Sequence, residues 1–147
     1  MDERLFEAPC WIIDVLPHRV PDGSEGRYFA VEEFLRAHPQ VDEVFERHLR
    51  LLLKLNCYYA LAVSWLGEDS PEVENPEPAE LARMVRGCIC EPDWRRGLCV
   101  RIPSQDAAIT LDGDDLYAVI HNPTERLLED VRQLALGEGL FVWKGAN

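Results

Sequence analysis

The stretch from residue 106 to residue 143 constrains the fold of this 147-residue chain more than any other part of the sequence. It opens with two short apolar segments, 107–111 and 116–120, on either side of Asp112-Gly113. Asp-Gly is a preferred pair for the type I′ turn, in which both central residues need positive φ. The pattern therefore predicts a tight β-hairpin, with His121 closing its second strand.

A helix and a last strand follow this hairpin in the sequence. Asn122 is the predicted N-cap of the helix, with Pro123 in the first turn and Glu125 in a capping-box position. Gly137 is expected to end the helix, and residues 140–143 are expected to form the final strand. Because strands and a helix alternate within one short unit, we expect the α+β class.

The rest of the chain extends the same architecture. The apolar spacing predicts strands over 10–16, 58–65 and 98–102, a helix over 41–55 and a further helix around 81–89. We expect a single globular domain, residues 1–147, of a size close to the commonest one. The predicted fold is a two-layer α+β sandwich, with one mixed sheet of five or six strands and three or four helices mainly on one face.

Charge and composition exclude several classes of function. The chain carries 27 acidic against 15 basic residues, a net charge of −12, which disfavours binding to nucleic acid and to anionic membranes. The longest apolar run, residues 57–63, is much shorter than the ~18 residues of a membrane-spanning helix. The acidic first residues lack the apolar core of a signal peptide, so we expect a cytoplasmic protein.

The opening WIIDVLP, the hairpin ITLDGDDLYAVI and the ending GLFVW resemble a group of small bacterial proteins without an assigned function. The resemblance covers about a third of the chain. It implies no activity, cofactor or site residue.

Two clusters raise the question of a metal. Asp112, Asp114 and Asp115 supply the oxygen ligands that Mg²⁺ prefers, and such a hairpin is similar to the metal-binding hairpin of polymerases. Aspartate is also the ordinary residue of a solvated turn, which is the interpretation we favour. Cys88, Cys90 and Cys99 have poor spacing for a structural zinc site, so we expect buried thiols. No cofactor is predicted.

Five residues outline a possible ligand pocket at one end of the sheet. Asp14 is a carboxylate within an apolar strand, where burial without a partner costs several kcal/mol. It must reach solvent, form an ion pair or serve a site. His121 lies between a strand and a helix, and Trp11, Trp65 and Trp143 fall in predicted strands. Aromatic residues of this kind line many pockets, although more of them belong to cores.

The function that the sequence favours is non-enzymatic binding of a basic protein partner, as an immunity-like or regulatory factor. No serine lies in a G-x-S-x-G motif and no phosphate-binding loop is present. The acidic segment 67–80 offers Glu72, Glu74 and Glu77 as partner-binding residues. The alternative is a small-molecule-binding protein or minor enzyme, with its pocket near Asp14 and His121. A homodimer joined along an exposed strand is a third possibility.

Overall fold

The computed structural model describes residues 3–24, 26–36, 40–67, 69–90 and 94–145. Within these ranges the helices are α1 (Arg4–Glu7), α2 (Arg27–Arg36), α3 (Gln40–Leu55), α4 (Pro78–Arg86) and α5 (Glu125–Gly137). The strands are β1 (Cys10–Asp14), β2 (Ala62–Trp65), β3 (Val73–Glu74), β4 (Ile89–Cys90), β5 (Trp94–Arg95), β6 (Gly97–Ile102), β7 (Ala107–Asp112), β8 (Ala118–His121) and β9 (Phe141–Lys144). Short 3₁₀ turns cover Asp22–Ser24 and Pro103–Gln105.

The α+β class is confirmed, but the sheet differs from the predicted one. Seven strands of the described chain form one sheet in the order β3-β2-β6-β7-β8-β1-β9, and β4 pairs only with β5. Every neighbouring pair in the large sheet is antiparallel, so the prediction of a mixed sheet with five or six strands is wrong. The first strand β1 lies between β8 and β9, which joins the two ends of the chain in one sheet.

One face of the sheet, the helix face, carries the main hydrophobic core. Helices α3, α4 and α5 pack there against alternate residues of the strands, including Ile13, Val63, Val100, Ile109 and Ile120. Helix α3 contributes a buried stripe, because its apolar residues recur every three or four positions. The members of this stripe are Val44, Phe45, His48, Leu49, Leu52 and Leu55. Each buried leucine contributes roughly 1.5–3 kcal/mol to folding.

The opposite face, the open face, has a lighter cover. It presents the other alternate residues of the strands, among them Cys10, Ile12, Asp14, His121 and Trp143. Helix α1 covers one part of it, where the buried Leu5 packs in a small cluster with Cys99 and Ala108. The start of α2 lies over another part, beside β1 and β9. The open face is where the fold leaves room for a ligand.

The hairpin between β7 and β8 is longer than the predicted two-residue turn. Leu111 pairs with Ala118, so the connection covers residues 112–117. Gly113 does not have positive φ, which rules out the type I′ turn. Instead the Asp112 carboxylate accepts from Asp114 N (2.9 Å), as in an Asx turn, and the buried Leu116 takes part in the connection.

The last helix begins later than predicted. Thr124 is its N-cap, since the Thr124 hydroxyl accepts from Leu127 N at 3.1 Å. Asn122 has a left-handed φ of 58° and donates its side-chain amide to the carbonyl oxygen of Asp106 (2.8 Å). The helix runs through Gly137, and the left-handed residue that follows it is Gly139 (φ 73°). Local spacing alone therefore placed both ends of the helix two residues too early.

The predicted strand over 58–65 is also shorter in the structure. Residues 56–58 form a turn after α3, and the strand begins only at Ala62. The backbone N–H groups of residues 56–59 bond back to carbonyls of the last helical turn, which excludes that segment from the sheet.

Candidate ligand-binding site on the open face

A cavity of about 640 Å³ opens on the open face of the sheet. Ile12 and Asp14 from β1 and Trp143 from β9 form its floor, because Ile12 pairs with Trp143 across the two strands. Residues 19–22 and the start of α2 form its wall. The volume falls in the range of small-molecule sites, roughly 300–1,000 Å³.

Asp14 is the buried charge of this cavity. Asp14 is only 4% exposed, and its Oδ1 accepts a hydrogen bond from Val15 N at 2.7 Å. Burial raises the pKa of Asp14, and the charge of Glu32 raises it further, while the backbone N–H groups of Val15 and Leu16 oppose the change. No ion pair joins Asp14 to a basic side chain in the described part of the chain. Within the described ranges, the carboxylate thus lacks a countercharge.

Two tyrosines, Tyr28 and Tyr117, line the same cavity as this carboxylate. The Tyr28 hydroxyl donates to Glu32 Oε2 at 3.2 Å, and burial together with the charges of Glu32 and Asp14 raises the Tyr28 pKa. Burial, followed by Asp115, Glu32 and Asp14, likewise raises the Tyr117 pKa. Both phenols therefore stay protonated at neutral pH, because burial and the nearby carboxylates disfavour the phenolate form.

The basic residues that border the cavity do not neutralise it. Arg19 lies at the mouth, where its guanidinium is 3.4 Å from the Asp22 carboxylate, and both side chains are largely exposed. Lys144 also borders the cavity, but its Nζ lies 4.2 Å from the ring centroid of Trp11. Trp11 packs on the helix face. The Lys144 ammonium thus lies over the Trp11 ring, and it is not among the charges that shift the Asp14 pKa.

The structure brings together only two of the five residues predicted for a pocket. Asp14 and Trp143 line the cavity. Trp11 and Trp65 pack against the main core, and the Arg96 guanidinium lies 3.5 Å from the ring centroid of Trp65. Successive side chains of a strand point to opposite faces of the sheet, and the positions of Trp11 and Trp65 place both on the helix face, away from the cavity.

His121 lies on the open face outside the cavity. It pairs with Cys10 across β1 and β8, and its Nε2 is 3.0 Å from Thr110 Oγ1. The Phe6 ring packs edge-on against its imidazole, with 5.2 Å between the ring centroids. Burial lowers the His121 pKa, so its imidazole is neutral at physiological pH.

Glu72, Glu74 and Glu77 do not form one acidic surface. Glu72 accepts two hydrogen bonds from Arg101, at 2.9 and 2.8 Å, and this pairing lowers the Glu72 pKa. Glu74 lies on the edge strand β3 and Glu77 precedes α4, and both are exposed. Two of the three carboxylates are therefore available to a partner.

The metal candidates are separated in space. Cys88 is buried in the main core, whereas Cys99 lies on the open face, where burial raises its pKa to about 11. The Cys90 side chain lies outside the described part of the structure. Asp112 and Asp114 form the exposed Asx turn. Among the described residues, no group of three or more His, Cys, Asp or Glu side chains could hold a metal ion.

Sequence reasoning missed most of the residues that line the cavity. Tyr28 and Phe29 lie at the start of α2, where no helix was predicted, and Tyr117 was assigned to a strand. The available signal was the Pro- and Gly-rich segment after Asp14, which is long enough to return the chain over the end of β1. Nothing in the local pattern, however, indicates which side of the sheet such a segment covers.

No protein-family model matches the chain, and neither the curated proteins nor the solved structures contain a match to it. None of the helices in the described ranges has the length and apolarity needed to cross a membrane.

Proposed function

We propose that the protein binds a small organic cation in the open-face cavity. The observation that carries this proposal is Asp14, a buried carboxylate that lines the cavity without an ion-pair partner in the described chain. An isolated buried carboxylate is costly, and a ligand cation beside it supplies the missing charge. Such a ligand also moves the Asp14 pKa back toward its ordinary value.

The walls of the cavity support the same ligand class. Tyr28, Phe29, Tyr117 and Trp143 all line it. The face of an aromatic ring attracts a cation, with about 0.5–2 kcal/mol for each well-placed ring. One buried carboxylate together with several rings is a combination typical of sites that recognise organic ammonium groups.

The charges around the cavity disfavour an anionic ligand. Burial raises the Asp14 pKa most and the nearby Glu32 charge raises it further, and an anion would add to this repulsion. Arg19, a basic residue at the mouth, is already paired with Asp22, and the Lys144 ammonium lies over the Trp11 ring. The net charge of −12 adds a long-range attraction for cations at low salt.

An NMR titration tests this proposal. Methylammonium, guanidinium and tetramethylammonium are added separately to the ¹⁵N-labelled protein, with tert-butanol as the neutral control. We expect cations to shift the amide resonances of Asp14, Tyr28 and Tyr117 and the indole resonance of Trp143. If no cation in the panel perturbs these resonances, or if tert-butanol perturbs them equally, the proposal is wrong.

Binding of a basic protein partner remains the second candidate function. Its support is the exposure of Glu74 and Glu77 beside the sheet edge, in a chain with a large acidic excess. A partner captured from the native cell should associate more slowly with an E74Q/E77Q variant than with wild type. Added salt should remove the difference, and unchanged association at low salt contradicts this role.

We propose that the protein acts in the cytosol, whichever of the two functions it has. The cysteines that the structure describes, Cys10, Cys57, Cys88 and Cys99, form no disulfide with one another, which is compatible with a reducing compartment. A homodimer would use one of the two sheet edges, β3 or β9. Light scattering on the purified protein gives the mass that decides this point.

A further inference from the structure

Building on the proposed function, we infer that the cation is a primary ammonium group, which the cavity binds through the N–H donors of the ligand as well as through its charge. The inference concerns the head group that lies beside Asp14. It follows from the hydrogen-bond acceptors that Asp14, Tyr28 and Tyr117, which line one cavity, keep available for a ligand.

The Asp14 carboxylate can accept further hydrogen bonds. Its Oδ1 accepts from Val15 N, but its Oδ2 accepts no hydrogen bond from any side chain in the described ranges. A buried carboxylate is stabilised when N–H groups satisfy its remaining lone pairs. An ammonium N–H that donates to an ionised oxygen forms a charge-assisted hydrogen bond, which is roughly twice as strong as a neutral one. A head group with N–H donors supplies this bond, and a fully methylated nitrogen does not.

Two phenol oxygens add to the acceptors. The Tyr28 hydroxyl donates its hydrogen to Glu32 Oε2, so its oxygen can still accept from a ligand. The Tyr117 hydroxyl makes no hydrogen bond to the part of the chain that the structure describes. Burial is the main cause of the raised pKa of both phenols and the Asp14 charge is a further one, so both are close enough to interact with that carboxylate. Together with Asp14 Oδ2, the two oxygens equal in number the three N–H donors of a primary ammonium.

The rings of the cavity attract every organic cation, so they do not select the head group. Tyr28 and Phe29 meet as a corner, with 5.7 Å between the ring centroids and 75° between the ring planes. Such ring faces attract a primary and a quaternary ammonium alike. The methyl groups of a quaternary ammonium, however, hold its charge farther from the carboxylate and leave desolvated acceptors without a donor. The oxygen atoms of the cavity therefore decide the preference.

Calorimetry with three probes of matched size tests the inference. The probes are tert-butylammonium, tetramethylammonium and the neutral tert-butanol, which all have the same number of non-hydrogen atoms. Tetramethylammonium keeps the charge but has no N–H donor, so it reports the attraction of the charge alone. We expect tert-butylammonium to bind at least about tenfold more tightly than either of the other two.

A tyrosine variant tests the hydrogen bonds themselves. Tyr117→Phe removes one acceptor and keeps the ring, so it should weaken tert-butylammonium binding by about threefold or more and leave tetramethylammonium binding unchanged. Tyr58→Phe is the matched control, because Tyr58 is 71% exposed and does not line the cavity. It should change the affinity of neither cation.

The outcomes separate the inference from the proposed function. If tetramethylammonium binds as tightly as tert-butylammonium or more tightly, the inference is overturned while the proposed function stands. If neither cation binds, both are overturned. If tert-butanol matches tert-butylammonium, the site recognises shape rather than charge, which also overturns both. Equal losses of the two cations in Tyr117→Phe would contradict the role of its hydroxyl as an acceptor.

Discussion

Asp14 and Trp143 lie on the same face of two neighbouring antiparallel strands, near opposite ends of the sequence. Asp14 pairs with Phe141 and Ile12 pairs with Trp143, so the carboxylate and the indole are one step apart on the open face. Both border the same cavity. This register places a buried charge beside an aromatic wall, and the proposed ligand chemistry follows from that relationship.

The buried carboxylate should reduce the stability of the unliganded protein. Asp14 ionises near pH 3.8 in the unfolded chain and at higher pH in the folded state, because burial raises its pKa. Its contribution to stability is therefore lost as the pH rises through this window, and the loss persists at pH 7. Asp14→Asn, whose Oδ1 still accepts from Val15 N, should increase the free energy of unfolding at pH 7.

Urea unfolding at pH 7 and pH 4 checks this prediction. The advantage of Asp14→Asn should shrink at the lower pH, where the wild-type carboxyl is more fully protonated. Asp114→Asn is the control, since Asp114 is an exposed aspartate in the β7–β8 connection. A variant that is less stable than wild type at pH 7, or a difference that does not change with pH, would contradict the account of Asp14.

His48 should make the fold sensitive to mild acid. It is 2% exposed, its Nε2–H donates to the Leu116 carbonyl at 3.1 Å, and burial lowers its pKa from 6.5 to about 4. Since the unfolded chain binds the proton first, stability is lost as the pH falls from 6.5 toward 4. The loss is about 3 kcal/mol, at about 1.4 kcal/mol per pH unit.

A His48→Gln variant separates this effect from other acid-induced changes. Its free energy of unfolding should depend less steeply on pH between 6.5 and 4.5 than that of wild type, whatever its absolute stability. An unchanged slope in the His48 variant would rule out a buried neutral imidazole at this position.

Thr124 should hold the start of the last helix. Its hydroxyl accepts from Leu127 N, so Thr124→Ala should lower the free energy of unfolding by about 1 kcal/mol. Thr124→Ser keeps the hydroxyl and should lose much less. Chemical denaturation of both variants provides the comparison, and equal stability of the alanine and serine variants would contradict the assignment of this N-cap.

Periodic patterns predicted the parts of the fold that obey local rules. The stripe of α3 and the core residues of α5, including Leu127 and Val131, are buried as their spacing requires. Thr124 and Asn122 show the limit of such rules. Both residue types are good N-caps, and the choice between them depends on the hydrogen bond from Asn122 to the carbonyl oxygen of Asp106, which local sequence does not contain.

The cavity could be predicted only in part for the same reason. Asp14 stands out because it is a charge within an apolar strand, and Trp143 stands out as a large ring in another. Asp14 and Trp143 come together only because β1 lies between β8 and β9, which is a long-range pairing. The alternation of β1 then decides that Trp11 faces the helices while Asp14 faces the cavity.

The most direct test of the central claim is the affinity of tetramethylammonium for wild type and for Asp14→Asn, measured by calorimetry at pH 7 and low salt. The account predicts that the variant folds with equal or greater stability and yet binds at least about tenfold more weakly, because the charge that attracts the ligand is gone. Equal affinity in a folded variant would contradict the claim that Asp14 makes this cavity a site for organic cations.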